Sequence, residues 1–347
     1  MELKQILSRF MLLSMSILLI GCNKAPEVVI LQGKTMGTTY SVKYIDDAQI
    51  KQRSKDVHEK IELLLRDVNN KMSTYIATSE LSMFNQSTRT EAPIEISNDL
   101  GIVLQESIRL NAITEGALDV TVGPIVNLWG FGPEKRKTNE SMDDKVQKVK
   151  QWIGIDKMKL YHINNKYLLQ KTIPQLYIDL SSIAKGFGVD KVAQYVESIG
   201  AKNYLVEIGG EVRTKGKKLD GKAWQIAIEK PTFDGSRAIS QIVSLKDMAM
   251  ATSGNYRNYF EENGERFSHE IDPKTGYPIK HRLASITVIT DSAMTADGLA
   301  TGLYVLGEEK ALEVAEKYNL RVYLIVKTDN GFEARMSSAF EKLINDK

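Results

Sequence analysis

The sequence predicts an α+β fold, with mixed sheets and packed helices in a single domain over residues 31–347. Three observations lead there. Segments of strand and helix periodicity are interspersed without the strict βαβ alternation of a doubly wound sheet. The 347 residues are 42% hydrophobic, enough for a sizeable core, and 26% charged, which suits a solvated surface. No linker, internal repeat or low-complexity block interrupts the span after residue 31. The charged stretch "GPEKRKTNESMDDK" at 132–145 is expected to be a surface loop.

"QGKTMGTTYSVKYI" alternates as a strand does, with Tyr40, Val42 and Tyr44 on one face. A helix is expected near 50–68, where Val57, Ile61, Leu64, Leu65 and Val68 fall at helical spacing. Ser97 reads as the N-cap of a second helix through Leu104, Ile108 and Ile113, stopped at Gly116. Strands are expected at 158–162, 167–170 and 174–180, then a helix over 184–199 and the strand "NYLVEI" ending at Gly209-Gly210. "WQIAIEK", "ISQIVSL" and "SITVITD" read as further strands. Helices over 292–306 and 308–318, the strand "RVYLIVK" and an edge strand close the chain.

The N-terminus carries Lys4 and Arg9 ahead of "FMLLSMSILLI" and Gly21-Cys22. That run falls short of the roughly 20 apolar residues that span a bilayer. It fits the apolar region of a secretory signal. Cys22 is the only cysteine, so an exported chain has no disulfide partner for it. "LIGC" resembles a bacterial lipobox, which predicts a lipoprotein signal peptide over 1–21, a lipidated Cys22 and a tether over 22–30. Several acyl chains anchor stably, at about 0.8 kcal/mol per buried CH2. The expected location is the extracytoplasmic, periplasmic side of a bacterial membrane. A net charge of only +2 gives no nucleic-acid surface.

Three regions have the composition of a phosphate and metal site. In "DLSSIAKGFGVD" a strand ends at Asp179 and a helix starts near Ala184; free N–H groups at such a start favour anions, and Lys185 adds a charge. It reads equally as an ordinary strand-to-helix turn. Lys191 stands where a dinucleotide fingerprint needs its third glycine, and "GEVRTKGKK" is no Walker A loop. In "TDSAMTADGLATGL", Asp297 and Thr301 lie one helical turn apart, an oxygen pair suited to Mg2+ or simply to solvent and backbone. Tyr75, Trp129 and Phe131 near turn signals suit either stacking on a planar heterocycle or a core. Histidine is scarce: His58, His162, His269 and His281 are the four. In "SHEIDPKTGYPIK", Pro273 and Gly276 set a tight turn that holds His269, either as a loop residue or as a positioned base titrating near about 6.5.

In order, "GKTMGTTYSV", "MSTYIATSELSMFN", "GALDVTVGPIVNLWGFG", "DLSSIAKGFGVD", "YLVEIGGEV", "ATSGNYR", "HEIDPKTGYP" and "SAMTADGLATGLYVLG" resemble the ApbE family from about residue 33 to 340. These are bacterial FAD:protein FMN transferases, often lipoproteins. The resemblance implies an ApbE-like α+β domain whose substrate is FAD. It implies FAD contacts at Met36, Tyr75, Ala117, Leu118, Asp119, Asp179, Lys185 and Ile271, and Mg2+ ligation by Ser182, Asp297 and Thr301. It places a catalytic histidine at His269, whose ring Asp272, three residues on in the same turn, is expected on chemical grounds to orient. Leu118 stands where many members have phenylalanine, and at Ser182, where residues vary, a backbone carbonyl or the hydroxyl serves as ligand.

The implied reaction joins FMN by a phosphoester to a Thr or Ser hydroxyl of an extracytoplasmic redox subunit and releases AMP. Acceptors of the Na+-translocating NADH:quinone reductase or Rnf type are the implied partners. The alternatives are an FAD pyrophosphatase, with water in place of the hydroxyl, and a flavin-binding lipoprotein without chemistry. Tyr75 over the site favours transfer by excluding water. A binding module needs neither His269 nor the Asp297–Thr301 pair.

Overall fold

The structure, a computed structural model, describes residues 25–47, 50–133, 141–231, 237–254, 259–262 and 265–345. The signal segment and Cys22 lie outside them, as do residues 134–140 of the 132–145 stretch expected to be a loop, whose last four residues instead begin a helix. No helix among the described residues is long and apolar enough to cross a membrane.

An eight-stranded sheet forms the frame, and its strands follow one another in space as in sequence. They are β1 (Glu27–Thr35), β2 (Thr38–Asp46), β3 (Tyr204–Ile208), β4 (Glu211–Lys215), β5 (Ala249–Gly254), β6 (Leu283–Thr290), β7 (Arg321–Thr328) and β8 (Gly331–Met336). All neighbours pair antiparallel. The alternating stretch 32–45 is a hairpin rather than one strand. Met36 (φ 48°) and Gly37 (φ 72°) form a two-residue loop between Thr35 and Thr38. Both positive φ values match the twist of a tight hairpin, and glycine bears its share without strain.

Helices α1 (Ser54–Met72), α2 (Glu80–Gln86), α3 (Asn98–Ile113), α4 (Gly123–Trp129), α5 (Met142–Lys150) and α6 (Ala184–Ser198) lie between β2 and β3. Helices α7 (Ala293–Leu306) and α8 (Glu308–Lys317) connect β6 to β7, and α9 (Ser338–Asn345) ends the described chain. The Ser97 cap is present: its hydroxyl accepts the Leu100 N–H at 3.3 Å. A small sheet of Ile94–Ile96, Met158–Ile163 and Lys166–Lys171 flanks α3. The third strand expected at 174–180 does not form. Asn85 takes the place of a neighbouring strand, donating to Ile178 O and accepting from Ile178 N, both at 2.8 Å.

The two halves of the sheet are buried differently. On β2, Tyr40, Val42 and Tyr44 pack against α1 and α6, which explains the alternation there. On β6 and β7 both faces are covered. Ile286, Val288, Val322 and Leu324 join the main core under α3 and α7, while Ile289, Tyr323 and Ile325 face α9 and the hairpin of Trp224–Pro231 with Arg237–Leu245. Continuous apolar runs result.

Helices α6 and α7 meet at very close range. A Cβ on Gly186 would stand 2.2 Å from Ala293 O, so only glycine permits the approach. Asp190, 6% exposed, closes the contact. It accepts from Ala293 N (3.1 Å), Met294 N (3.0 Å) and Ser292 Oγ (2.7 Å), and from Arg213 Nη1 of β4 (2.8 Å). A carboxylate at a helix N-terminus satisfies orphan donors and the dipole together. Asp190→Ala leaves those donors and Arg213 without their partner. It is expected to cost about 3–5 kcal/mol of stability. Urea denaturation measures this, and a loss under about 1 kcal/mol would contradict the role.

Candidate active site

The cleft opens where the sheet divides. Strands β4 and β5 pair at Val212–Met250 and Arg213–Ala249, and Thr214 N donates to Met248 O at 2.9 Å just beyond them. At the opposite end Glu211 and Val212 form one side and Thr252, Ser253 and Gly254 the other. The start of α6, the middle of α7, the 117–122 segment, the 269–273 turn and the strand Trp224–Pro231 complete a cavity of about 780 Å³. That size is ordinary for a cofactor-sized ligand.

Most of the expected site residues line this one cavity: Tyr75, Ala117, Leu118, Asp119, Asp179, Ser182, Lys185, His269, Ile271, Asp297 and Thr301. Met36 does not line it. Its side chain packs on the main core, with Cε 3.0 Å from where a Cβ on Gly188 would stand. Trp129 is 7% exposed and donates its indole N–H to Gly276 O at 3.0 Å. It secures the 272–278 turn from below. Tyr75, 67% exposed, stands at the cavity wall with its hydroxyl donating to Phe131 O at 3.3 Å. Phe131 in turn meets the His269 ring edge-to-face at 6.4 Å.

Two aspartates shape the floor. Asp119 Oδ1 accepts from Thr121 N (2.8 Å) and Oγ1 (2.6 Å); Asp179 Oδ1 accepts from Ser181 N (2.8 Å) and Oγ (2.5 Å). The Asp179 N–H donates to Val120 O at 2.8 Å, joining the two turns. Burial raises the Asp119 pKa above its usual value.

The charged centre lies between α6, α7 and β4. Lys185 Nζ is 2.8 Å from Glu211 Oε1 and 3.5 Å from Asp297 Oδ1. Asp297 Oδ2 accepts the Gly186 N–H at 2.9 Å, and Thr301 Oγ1 is 3.3 Å from Ser253 Oγ. Burial pushes Glu211 up to about 7 against the pull of Lys185, and it raises Asp297 as well. Burial works to lower the Lys185 ammonium, but Asp297 and Glu211 outweigh it and hold the pKa above its ordinary value.

His269 Nε2 stands 3.2 Å from Glu270 Oε1. Glu270 thus occupies the place expected of Asp272, whose Oδ1 accepts from Lys274 N (2.8 Å) and whose carbonyl accepts from Gly276 N (2.7 Å). Asp272 builds the turn that presents the histidine.

No group of three or more His, Cys, Asp or Glu residues forms a metal cage among the described residues. The donor set still fits a hard cation that keeps waters or substrate oxygens. Asp297 is a buried carboxylate, Thr301 follows it one turn on along α7, and the Ser253 hydroxyl meets that of Thr301 at 3.3 Å.

Residues 36–324 match the model of the ApbE family. The chain belongs to that family. An FAD:protein FMN transferase from Haemophilus influenzae is 60% identical over 345 residues, covering 99% of this chain and 100% of that protein. One from Vibrio cholerae is 52% identical, covering 95% and 96%. The solved flavin transferase ApbE from Vibrio cholerae superposes with a TM-score of 0.84 at 50% identity, over 92% of this chain and 100% of that one. The Pseudomonas stutzeri flavinyl transferase ApbE in its apo form gives 0.82 at 35% identity, over 93% and 98%.

Sequence reasoning passed over Glu211, Glu270 and Ser253, although each stands inside a stretch that resembles the ApbE family. A lone charge directly after the Gly209-Gly210 turn was the available signal for Glu211. Folding raises the Glu211 pKa from 4.5 to about 7, so the folded protein binds more protons than the unfolded chain between those values. Stability therefore falls as pH climbs through that window. Glu211→Gln is expected to lack this fall. The wild-type-minus-variant difference in denaturation midpoint, followed against pH, tests it, and an opposite slope would refute the assignment.

Proposed function

We propose that this FAD:protein FMN transferase cleaves the FAD pyrophosphate and attaches FMN to a threonine or serine hydroxyl of an extracytoplasmic redox protein, releasing AMP. The observation that carries this reading is the gathering of Lys185, Asp297, Thr301 and His269 on one cavity with the aromatic Tyr75. A binding module needs none of the charged centre. Ser182, Asp297 and Thr301 would hold Mg2+, which would supply charge neutralisation for the phosphates when bound.

His269 takes the proton of the acceptor hydroxyl, and Glu270 stabilises the imidazolium that forms. The hydroxyl oxygen forms the new bond to the FMN phosphorus. The bond from that phosphorus to the bridging oxygen breaks, and AMP leaves with the electron pair. Lys185 meets the growing negative charge from the start of α6. Tyr75 covers the ring system and keeps bulk water from replacing the acceptor.

Incubating the protein with FAD, Mg2+ and a membrane redox subunit should add the mass of FMN to that subunit. AMP release without the mass gain would make the protein a pyrophosphatase instead. His269→Ala should slow transfer on the order of 10^2–10^4-fold while still binding FAD. Asp297→Ala should not turn over at ordinary Mg2+ levels. Near-normal transfer by either folded variant would remove that residue from the mechanism.

The acceptor's location follows from the N-terminus. The short apolar run ending at Cys22 supports a lipid anchor on the extracytoplasmic side of the membrane. Cys22→Ser should move the protein from the membrane fraction to the soluble extracytoplasmic fraction. Unchanged membrane retention would rule out the anchor.

A further inference from the structure

Glu211 stands outside the proposed cation ligands, yet it is 3% exposed and faces the same cavity. One oxygen accepts from Lys185, and the other is buried with no hydrogen-bond partner. A buried carboxylate oxygen without a donor is costly, so its persistence calls for a state in which a donor reaches it. The nearby donor is the Lys185 ammonium, shared at 2.8 Å with Glu211 and at 3.5 Å with Asp297. Its side chain lines the cavity and is 31% exposed. Its four-carbon stem pivots readily.

We propose that Lys185 is the resident counter-ion of Asp297, in competition with the divalent cation, and that Glu211 is the positioning residue that takes up the ammonium when the cation arrives. This rests on Asp297 being a cation ligand, as proposed above. An ammonium and a divalent ion on one carboxylate repel strongly at such range. The ammonium therefore has to leave Asp297, and Glu211 offers an acceptor oxygen for it without exposing either charge alone. Glu211 thus acts on cation binding through Lys185. Simple attraction between Glu211 and the ion would act without the lysine.

A double-mutant cycle separates the two. Mn2+ binding is measured on the flavin-free protein by electron paramagnetic resonance of the free ion. Lys185→Met should tighten Mn2+ binding about tenfold, and Glu211→Gln should weaken it by a similar factor. The double variant should bind like Lys185→Met, within about twofold. Additive effects would overturn the proposal, because Glu211 would then act on the ion directly. Asp297→Ala should abolish binding at this site. Failure of wild type to bind any Mn2+ that Asp297→Ala removes would sink the cation assignment and this proposal together. Urea denaturation confirms that each variant folds, and Lys185→Gln replaces Lys185→Met if the latter does not.

Discussion

The crossing of α6 and α7 at Gly186 is the contact on which the rest of the site depends. With no side chain at Gly186, the start of α6 rests on the Ala293 carbonyl of α7. Asp190 then ties the N-terminus of α7 to Arg213 on β4. One short contact so fixes three elements, and each brings a charged group of the centre: Lys185 from α6, Asp297 from α7 and Glu211 from β4. Looser packing would separate the Gly186 N–H from Asp297 and leave a buried carboxylate with too few donors.

The sheet contributes the space. An eight-stranded antiparallel meander has no cavity of its own, because neighbouring strands lie about 4.8 Å apart. Here β4 and β5 part beyond Val212 and Met250, and the gap becomes the mouth of the cleft. The groups lining it are both charged and apolar. Glu211, Lys185 and Asp297 lie towards α6 and α7, while Ile226, Ile228 and Met250 lie towards the hairpin.

Much of this was legible in the sequence, for identifiable reasons. Ser97 and Gly116 bracket α3 because capping chemistry is local. The Asp297–Thr301 spacing was readable because helix periodicity is local too. The Met36–Gly37 hairpin was not, since its alternation continues smoothly across the turn and only the backbone sign at two residues breaks it. Segment 174–180 reads as a strand by pattern, but its pairing partner is the Asn85 side chain, about ninety residues earlier. No periodicity records that. Helix α9 escaped notice because Phe340, its one buried residue, packs on the far face of the sheet. Among site residues, the turn around His269 was evident from Pro273 and Gly276, whereas the choice of Glu270 over Asp272 as its neighbour depends on which carboxylate the turn consumes.

That last exchange shows how the turn divides its labour. A carboxylate that accepts backbone N–H groups is held at a defined place and has little left to offer a ring. Asp272 is spent in this way on Lys274, and Asp119 and Asp179 on Thr121 and Ser181. Glu270, Asp297 and Glu211 each face a cation or a group that becomes one. In this protein the acidic residues at turns build the cavity walls. Asp297 and Glu211, held by contacts distant in sequence, carry the charge within it, while Glu270 serves the neighbouring His269.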